Sequence, residues 1–311
     1  MAITKPAEMN FSNKKIFVVL AGLPGTWKTT TACSAKNALL VDFDDGLARV
    51  KPEHRIDSSI CTTYEEFLKD VKEAEGKYET IIIDTCGALI EFMKDWAMRT
   101  DPKASKKDGG FSLQGYGVVK TEFLRMTSEL RKKFNVIFLF HESMERNGDE
   151  GVFYQLVVEG SARTLVWQPA DLGGHFFVDH GKHYIGFTPT EQYSAKSAYG
   201  ISGIIEVPEL KDGEPNVFMT KLFDKIRKNL DKEAKELAPK QAEYKEVMEA
   251  AKRVCADVNK PEDIPGAMEM LQNLPHVLTS DKESKAMFKK RLAELNIVYD
   301  KTSKTYRYGE T

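Results

Sequence analysis

The chain has 311 residues, 41% of them apolar and 30% charged, and its 45 basic and 47 acidic side chains leave a net charge of −2. That length allows one large or two modest domains with ample core, and the near balance of charge excludes a surface that binds nucleic acid all over; such contact must be local or come from an oligomer. No apolar run approaches the ~20 residues that cross a bilayer, no signal-peptide pattern opens the chain, and Cys33, Cys61, Cys86 and Cys255 lack metal-ligand spacing, which predicts reduced thiols in the cytoplasm and no membrane partner.

The first predicted element is Lys15-Ile16-Phe17-Val18-Val19-Leu20-Ala21, a short apolar run of the kind that forms a strand buried on both faces. It leads into Gly22-Leu23-Pro24-Gly25-Thr26-Trp27-Lys28-Thr29-Thr30. This is the phosphate-binding pattern G-x-x-x-x-G-K-[ST], in which backbone N–H groups surround phosphates, the lysine reaches the outer ones and a hydroxyl binds magnesium. All of it is present except the second glycine, which is Trp27, a side chain that alters the approach of backbone to phosphate or lies outside over a base or a neighbouring subunit. Residues 29–38 are small and free of breakers, and predict a helix whose N-terminus faces the anion.

Residues 38–47 form another apolar run that ends in Asp42, Asp44, Asp45 and Gly46. Carboxylates beside a polyphosphate suit a general base that orients water, or form a solvated turn. Tyr78-Glu79-Thr80-Ile81-Ile82-Ile83-Asp84-Thr85 is a second buried-strand run tipped by an acid, which caps a helix or, at this distance after a phosphate loop, holds Mg²⁺. Residues 99–117 carry Lys103, Lys106 and Lys107 among glycines, with Phe111 and Tyr116. Cations that track phosphates and rings that stack on bases suit single-strand binding, and the same composition suits any exposed loop. A further buried run, residues 135–140, ends in His141-Glu142, where the histidine caps the strand or bonds a terminal phosphate.

This order of phosphate loop, acid-tipped strands and polar-tipped strand resembles the RecA-like P-loop ATPases, and is similar to the phage-encoded, RecA-like single-strand annealing proteins. The resemblance covers roughly residues 14–205. It implies an α/β core with a mainly parallel central sheet flanked by helices, ATP and Mg²⁺ as cofactors, and assembly into a ring or filament on single-stranded DNA. It also implies a phage single-strand-binding or replication protein as a partner, in the host cytoplasm. Lys28 and Thr29 then bind phosphate and magnesium, Asp84 is the acidic metal partner, Asp44 stands where such proteins place the water-activating glutamate, and His141 where they place a γ-phosphate sensor. The resemblance implies two mobile DNA loops, at residues 99–117 and 142–161. Lys196, in Tyr193-Ser194-Ala195-Lys196-Ser197-Ala198-Tyr199-Gly200, is where a lysine reaches the ATP of the adjacent subunit, and Arg163 competes for that role. A nucleotide-gated clamp with little turnover and a replicative helicase-type motor remain the alternatives.

The ATP-binding core is expected to occupy residues 1–207, a linker residues 208–220, and a small, mostly helical domain residues 221–311. In that domain Leu222, Ile226, Leu230, Ala234 and Leu237 recur at helical spacing, Pro239 interrupts the pattern, and a second helix follows through Val258. Short helices fill residues 261–295. The chain closes on a hairpin that turns at residues 300–303, in a locally basic region with Tyr299, Tyr306 and Tyr308, suited to a nucleic-acid strand, to another protein, or to no partner.

Overall fold

A computed structural model describes residues 9–146, 151–159 and 162–309. It divides into two compact units, Lys14–Asn229 and a second one that joins Leu230–Thr311 to Met1–Asn13 over their described residues.

The first unit is a mixed α/β layer structure. Its apolar runs become the central strands β1 (Phe17–Gly22), β2 (Ala38–Asp42) and β4 (Thr80–Asp84), every residue of which is buried. Burial on both faces is why these runs are continuously apolar instead of alternating. The short β3 (Ser58–Ile60) lies at one edge, and β5 is Asn135–Arg146. With β6 (Val152–Leu156), β7 (Leu172–Asp179), β8 (Lys182–Gly186) and β9 (Ile204–Val207), they form a sheet of order β3-β2-β4-β5-β1-β7-β8-β9, in which β6 pairs with β5. Strands β3 to β7 along that order are parallel, whereas β6, β8 and β9 join antiparallel.

Helices α2 (Tyr64–Ala74), α3 (Cys86–Thr100) and α4 (Leu113–Lys133) begin at hydroxyl caps. Thr63 accepts from Glu66 N, Thr85 from Ala88 N and Ser112 from Gly115 N, each meeting a backbone donor that the first helical turn leaves without a partner. Their apolar faces pack with Phe17, Phe123, Phe138 and Phe140 in one continuous core, where Phe17 and Phe138 meet edge to face at 4.7 Å. Gly22 is required by close approach: a Cβ there would lie 2.8 Å from Phe176 Cβ of β7.

Several expectations change. Helix α1 spans only Lys28–Ala32, not residues 29–38, because three consecutive threonines are weak helix formers and the Ser34 hydroxyl takes the Thr31 carbonyl. Strand β5 runs past His141 to Arg146 and pairs with β6 from Glu142↔Leu156 to Arg146↔Val152, so much of the second expected loop is a hairpin. The remainder of that loop at residues 147–150 and 160–161 lies outside the described residues. Residues 99–117 are not an open loop either. A turn at Pro102–Ala104 and a bridge between Ser105 and Phe111 close the segment, and Tyr116 already belongs to α4.

After the short α5 (Ala162–Leu165), helix α6 is continuous over Phe218–Asp257 with Pro239 inside it, contrary to the expected break. The carbonyl that Pro239 leaves without a donor belongs to Lys235, which is exposed, so water can satisfy it. In the second unit α7 (Ile264–Gln272), α8 (Ser280–Glu294) and the hairpin β10 (Ile297–Asp300) with β11 (Thr305–Tyr308) surround a small core of Ala251, Cys255, Ile264, Leu271, Phe288 and Ile297.

Candidate functional site

Parallel register brings four strand tips together at the carboxyl edge of the sheet, where open α/β sheets bind their ligands. Asp42 of β2 stands beside Asp84 of β4, and Gly22 of β1 beside His141 of β5. The turn that follows Gly22 holds Gly25 at φ +80° and Trp27 at φ 67° and ψ 22°. The second loop glycine therefore marks a left-handed position, and a non-glycine residue there costs about 1–2 kcal/mol. Stacking of the indole on His183 of β8, with ring centroids 3.5 Å apart and planes 11° off parallel, offsets that cost. Burial lowers the pKa of His183 below its ordinary value.

Lys28 folds back over the loop and donates to the carbonyls of Gly22 at 2.9 Å and Leu23 at 2.8 Å. Burial pulls its ammonium down to about 8, against the opposing pull of Asp84, Glu142 and Asp44. Thr29 donates its hydroxyl to Asp84 Oδ2 at 2.5 Å. The Asp84 carboxyl lies above the usual range because it is buried and faces Asp42 and Asp44, although Thr29 and His141 partly offset this.

The acids after β2 have separate tasks. Asp42 is 2% exposed and accepts from the backbone N–H groups of Asp44, Gly46 and Leu47 at 3.1, 2.9 and 2.9 Å, so it shapes the turn. This turn brings Gly46 so near Asp84 that a Cβ would lie 2.5 Å from Oδ2. Asp44 points the other way, with Oδ2 3.3 Å from His141 Nε2 and 3.2 Å from Arg49 Nη2. Asp45 is exposed in a left-handed conformation.

The structure therefore gathers Lys28, Thr29, Asp84, Asp44 and His141 into one cluster and adds Asp42, Gly46 and Arg49. Asp42 could have been found from its place before a polar turn; Arg49 has no motif of its own. Next along β5, Glu142 points to the opposite face and bonds His175 Nδ1 at 2.7 Å with both side chains 1% exposed. Nothing local in the sequence marks that pair, because β1 lies between their strands.

Other expected residues sit elsewhere. Lys196 bridges Gly173 of β7, on the other side of β1 from β5, and its ammonium donates to Ala170 O at 2.5 Å. Arg163 donates to Val158 O at 3.1 Å and to Gln155. Lys103, Lys106 and Lys107 are exposed, whereas Phe111 packs on the core and meets Tyr116 edge to face at 4.9 Å. The Tyr116 hydroxyl donates to Glu159 at 2.7 Å, and Lys94 donates to the same carboxylate at 2.7 Å. Tyr116 is thus held against the segment that follows β6.

The AAA domain family matches residues 14–199, more than half of the chain. The chain belongs to the AAA domain family. No curated protein matches it. Membership makes it a P-loop ATPase by family and implies that the domain binds nucleotide. Such domains typically take Mg²⁺ with the nucleotide, and the donors present fit that ion: the Thr29 hydroxyl and the Asp84 carboxylate are hard oxygens already in contact. Among the described residues no three His, Cys, Asp or Glu side chains could together hold a metal. Mg²⁺ bound with phosphates needs one or two protein oxygens. Among those residues, too, no helix is long and apolar enough to cross a membrane.

Proposed function

We propose that this AAA domain protein is an ATPase that binds single-stranded DNA and promotes annealing in phage-type recombination, with ATP binding and hydrolysis gating the DNA contact and self-assembly. The observation that carries the nucleotide part is the convergence of Lys28, Thr29, Asp84, Asp44 and His141 from β1, β2, β4 and β5. In this reading phosphates draw Lys28 away from the Gly22 and Leu23 carbonyls. Thr29 and Asp84 would hold Mg²⁺, whose charge offsets that of the phosphate oxygens. Asp44 orients the attacking water, and His141 bonds the terminal phosphate. Loss of that phosphate would reach the β5–β6 hairpin through strand β5 itself. Exposed Lys103, Lys106 and Lys107 supply the DNA phosphate contacts, and a neighbouring subunit presents Lys196 to the nucleotide.

The test is ATP hydrolysis by the purified protein with and without a long single-stranded DNA, with Lys28→Ala as control. Stimulation by DNA that vanishes in the variant supports the reading; nucleotide binding with turnover that DNA leaves flat rejects it. That second outcome would favour the clamp with little turnover, for which the Lys28 ammonium held on loop carbonyls is the motivating observation.

A further inference from the structure

Beside the phosphate loop lies a cleft of about 610 Å³, within the range that holds small organic ligands. Trp27 forms part of its wall, with Val207, Leu210 and Phe218 contributing further apolar surface and Thr30 of α1 lying along it. The segment opposite the loop is fastened to the end of α1. Asn216 donates to Thr30 O at 2.6 Å, Met219 N to Ser34 Oγ at 2.7 Å and Thr220 to Ser34 O at 2.6 Å. The cleft is therefore built, with both walls fixed in the same unit. Trp27 is fixed as well, by its stack on His183.

We infer that this cleft takes the nucleoside portion of the bound nucleotide, and that Trp27, standing where the loop pattern has glycine, is the aromatic wall that selects it. The inference deepens the nucleotide-binding reading above and rests on it. Two features point to a nucleoside and not to an unrelated apolar ligand. The cleft is lined by Trp27 and Thr30, on either side of the phosphate-binding Lys28 in the chain, so a ligand whose phosphates lie on the loop has room to extend into it. Its apolar walls carry a few polar side chains, among them Asn216, Lys221 and Lys225, which suits a flat heteroaromatic base with a hydroxylated sugar. The left-handed backbone at Trp27 has a use on this reading. In that conformation the indole lies on His183 and lines the cleft while the chain passes from the loop into α1.

The experiment separates the two halves of the ligand on the full-length protein, using adenosine, inorganic tripolyphosphate and ATP in calorimetric titrations. Adenosine should bind the wild type and Lys28→Ala alike, and Trp27→Phe should keep that binding while Trp27→Gly loses it. Leu210→Glu, which puts a charge on the opposite wall, should weaken ATP at least about tenfold and tripolyphosphate by no more than about twofold. Circular dichroism of each variant checks that it has folded. Parallel weakening of ATP and tripolyphosphate by Leu210→Glu, or adenosine binding that survives Trp27→Gly, would overturn the inference. Failure of wild-type protein to bind either ATP or tripolyphosphate would instead overturn the nucleotide reading on which it rests.

Discussion

Thr29, one residue past the loop lysine, donates its hydroxyl to Asp84 Oδ2 at 2.5 Å although the two are 55 residues apart in the chain. The bond joins the phosphate loop to the acid-tipped strand and makes neighbours of the two oxygens expected to share a metal. It also partly stabilises a carboxylate that burial and two further acids disfavour.

Asp84→Asn should therefore raise the melting temperature of the nucleotide-free protein near neutral pH. The sign follows from the raised pKa. Between the ordinary value and the raised one the folded state holds more protons than the unfolded state, so stability falls as pH rises through that window and stays reduced above it. An amide removes the buried charge and still accepts from Thr29. The same variant should lower Mg²⁺-dependent ATP turnover by about 100-fold or more. Thermal unfolding and a phosphate-release assay check the pair of effects, and a variant that melts lower would contradict the account of Asp84.

Lys28 should make nucleotide binding pH-dependent on the alkaline side. Burial pulls its pKa down to about 8, and phosphates favour the charged form, so binding takes up a proton once the pH passes that value. Affinity for ATP should hold near pH 7 and fall as the pH rises through 8 and 9. Titration calorimetry in buffers of different ionisation enthalpy measures the uptake. Lys28→Arg, permanently charged, should show none.

The buried Glu142–His175 pair predicts an asymmetry between its two deletions. His175→Ala leaves a carboxylate buried without its partner and should cost about 3–5 kcal/mol, whereas Glu142→Gln keeps an acceptor for the imidazole and should cost less. Urea unfolding with matched slopes gives both numbers.

If the exposed lysines of residues 103–107 touch DNA phosphates, replacing Lys103, Lys106 and Lys107 together with alanine should weaken single-strand binding uniformly across sequences. The slope of log K against log salt should become shallower by about 2, at about 0.7 per phosphate contact. An unchanged slope would place the DNA contact elsewhere. Tyr116→Phe should have little effect in the same assay, because the hydroxyl is engaged by Glu159.

Pro239→Ala restores a backbone donor inside α6 and should stabilise the protein by up to about 3 kcal/mol, the difference in helix preference between the two residues. A stability unchanged within error would mean that water already compensates the carbonyl of Lys235.

Much of this architecture is written locally. Residues 15–21 and 78–84 announce buried strands because both faces of a parallel strand are covered, and the hairpin turning near Asp300 follows from residues adjacent in the chain. Thr63, Thr85 and Ser112 cap helices through bonds that span three residues. The phosphate loop is legible for the same reason: its chemistry needs contiguous backbone groups. Where local signals misled, longer-range packing intervened. Phe111 and Tyr116 look like free rings in a glycine-rich stretch, yet the core and Glu159 claim them. Residues 29–38 look helical, yet the chain must turn early to start β2 at Ala38.

The sequence by itself thus determined a P-loop protein of the α/β class, with the loop lysine, its hydroxyl neighbour and two acid-tipped strands in order. Tertiary structure alone decided which acid does what. Asp42 turns inward to hold its own turn, Asp44 meets His141 across 97 residues, and Asp84 meets Thr29 across 55. It also decided that Glu142 pairs with His175 and that Trp27 rests on His183 beside a cleft. The physical reason is that side-chain periodicity and capping are encoded over a few residues. The order of parallel strands, which sets who stands beside whom at the carboxyl edge, emerges only when distant segments pack into one sheet.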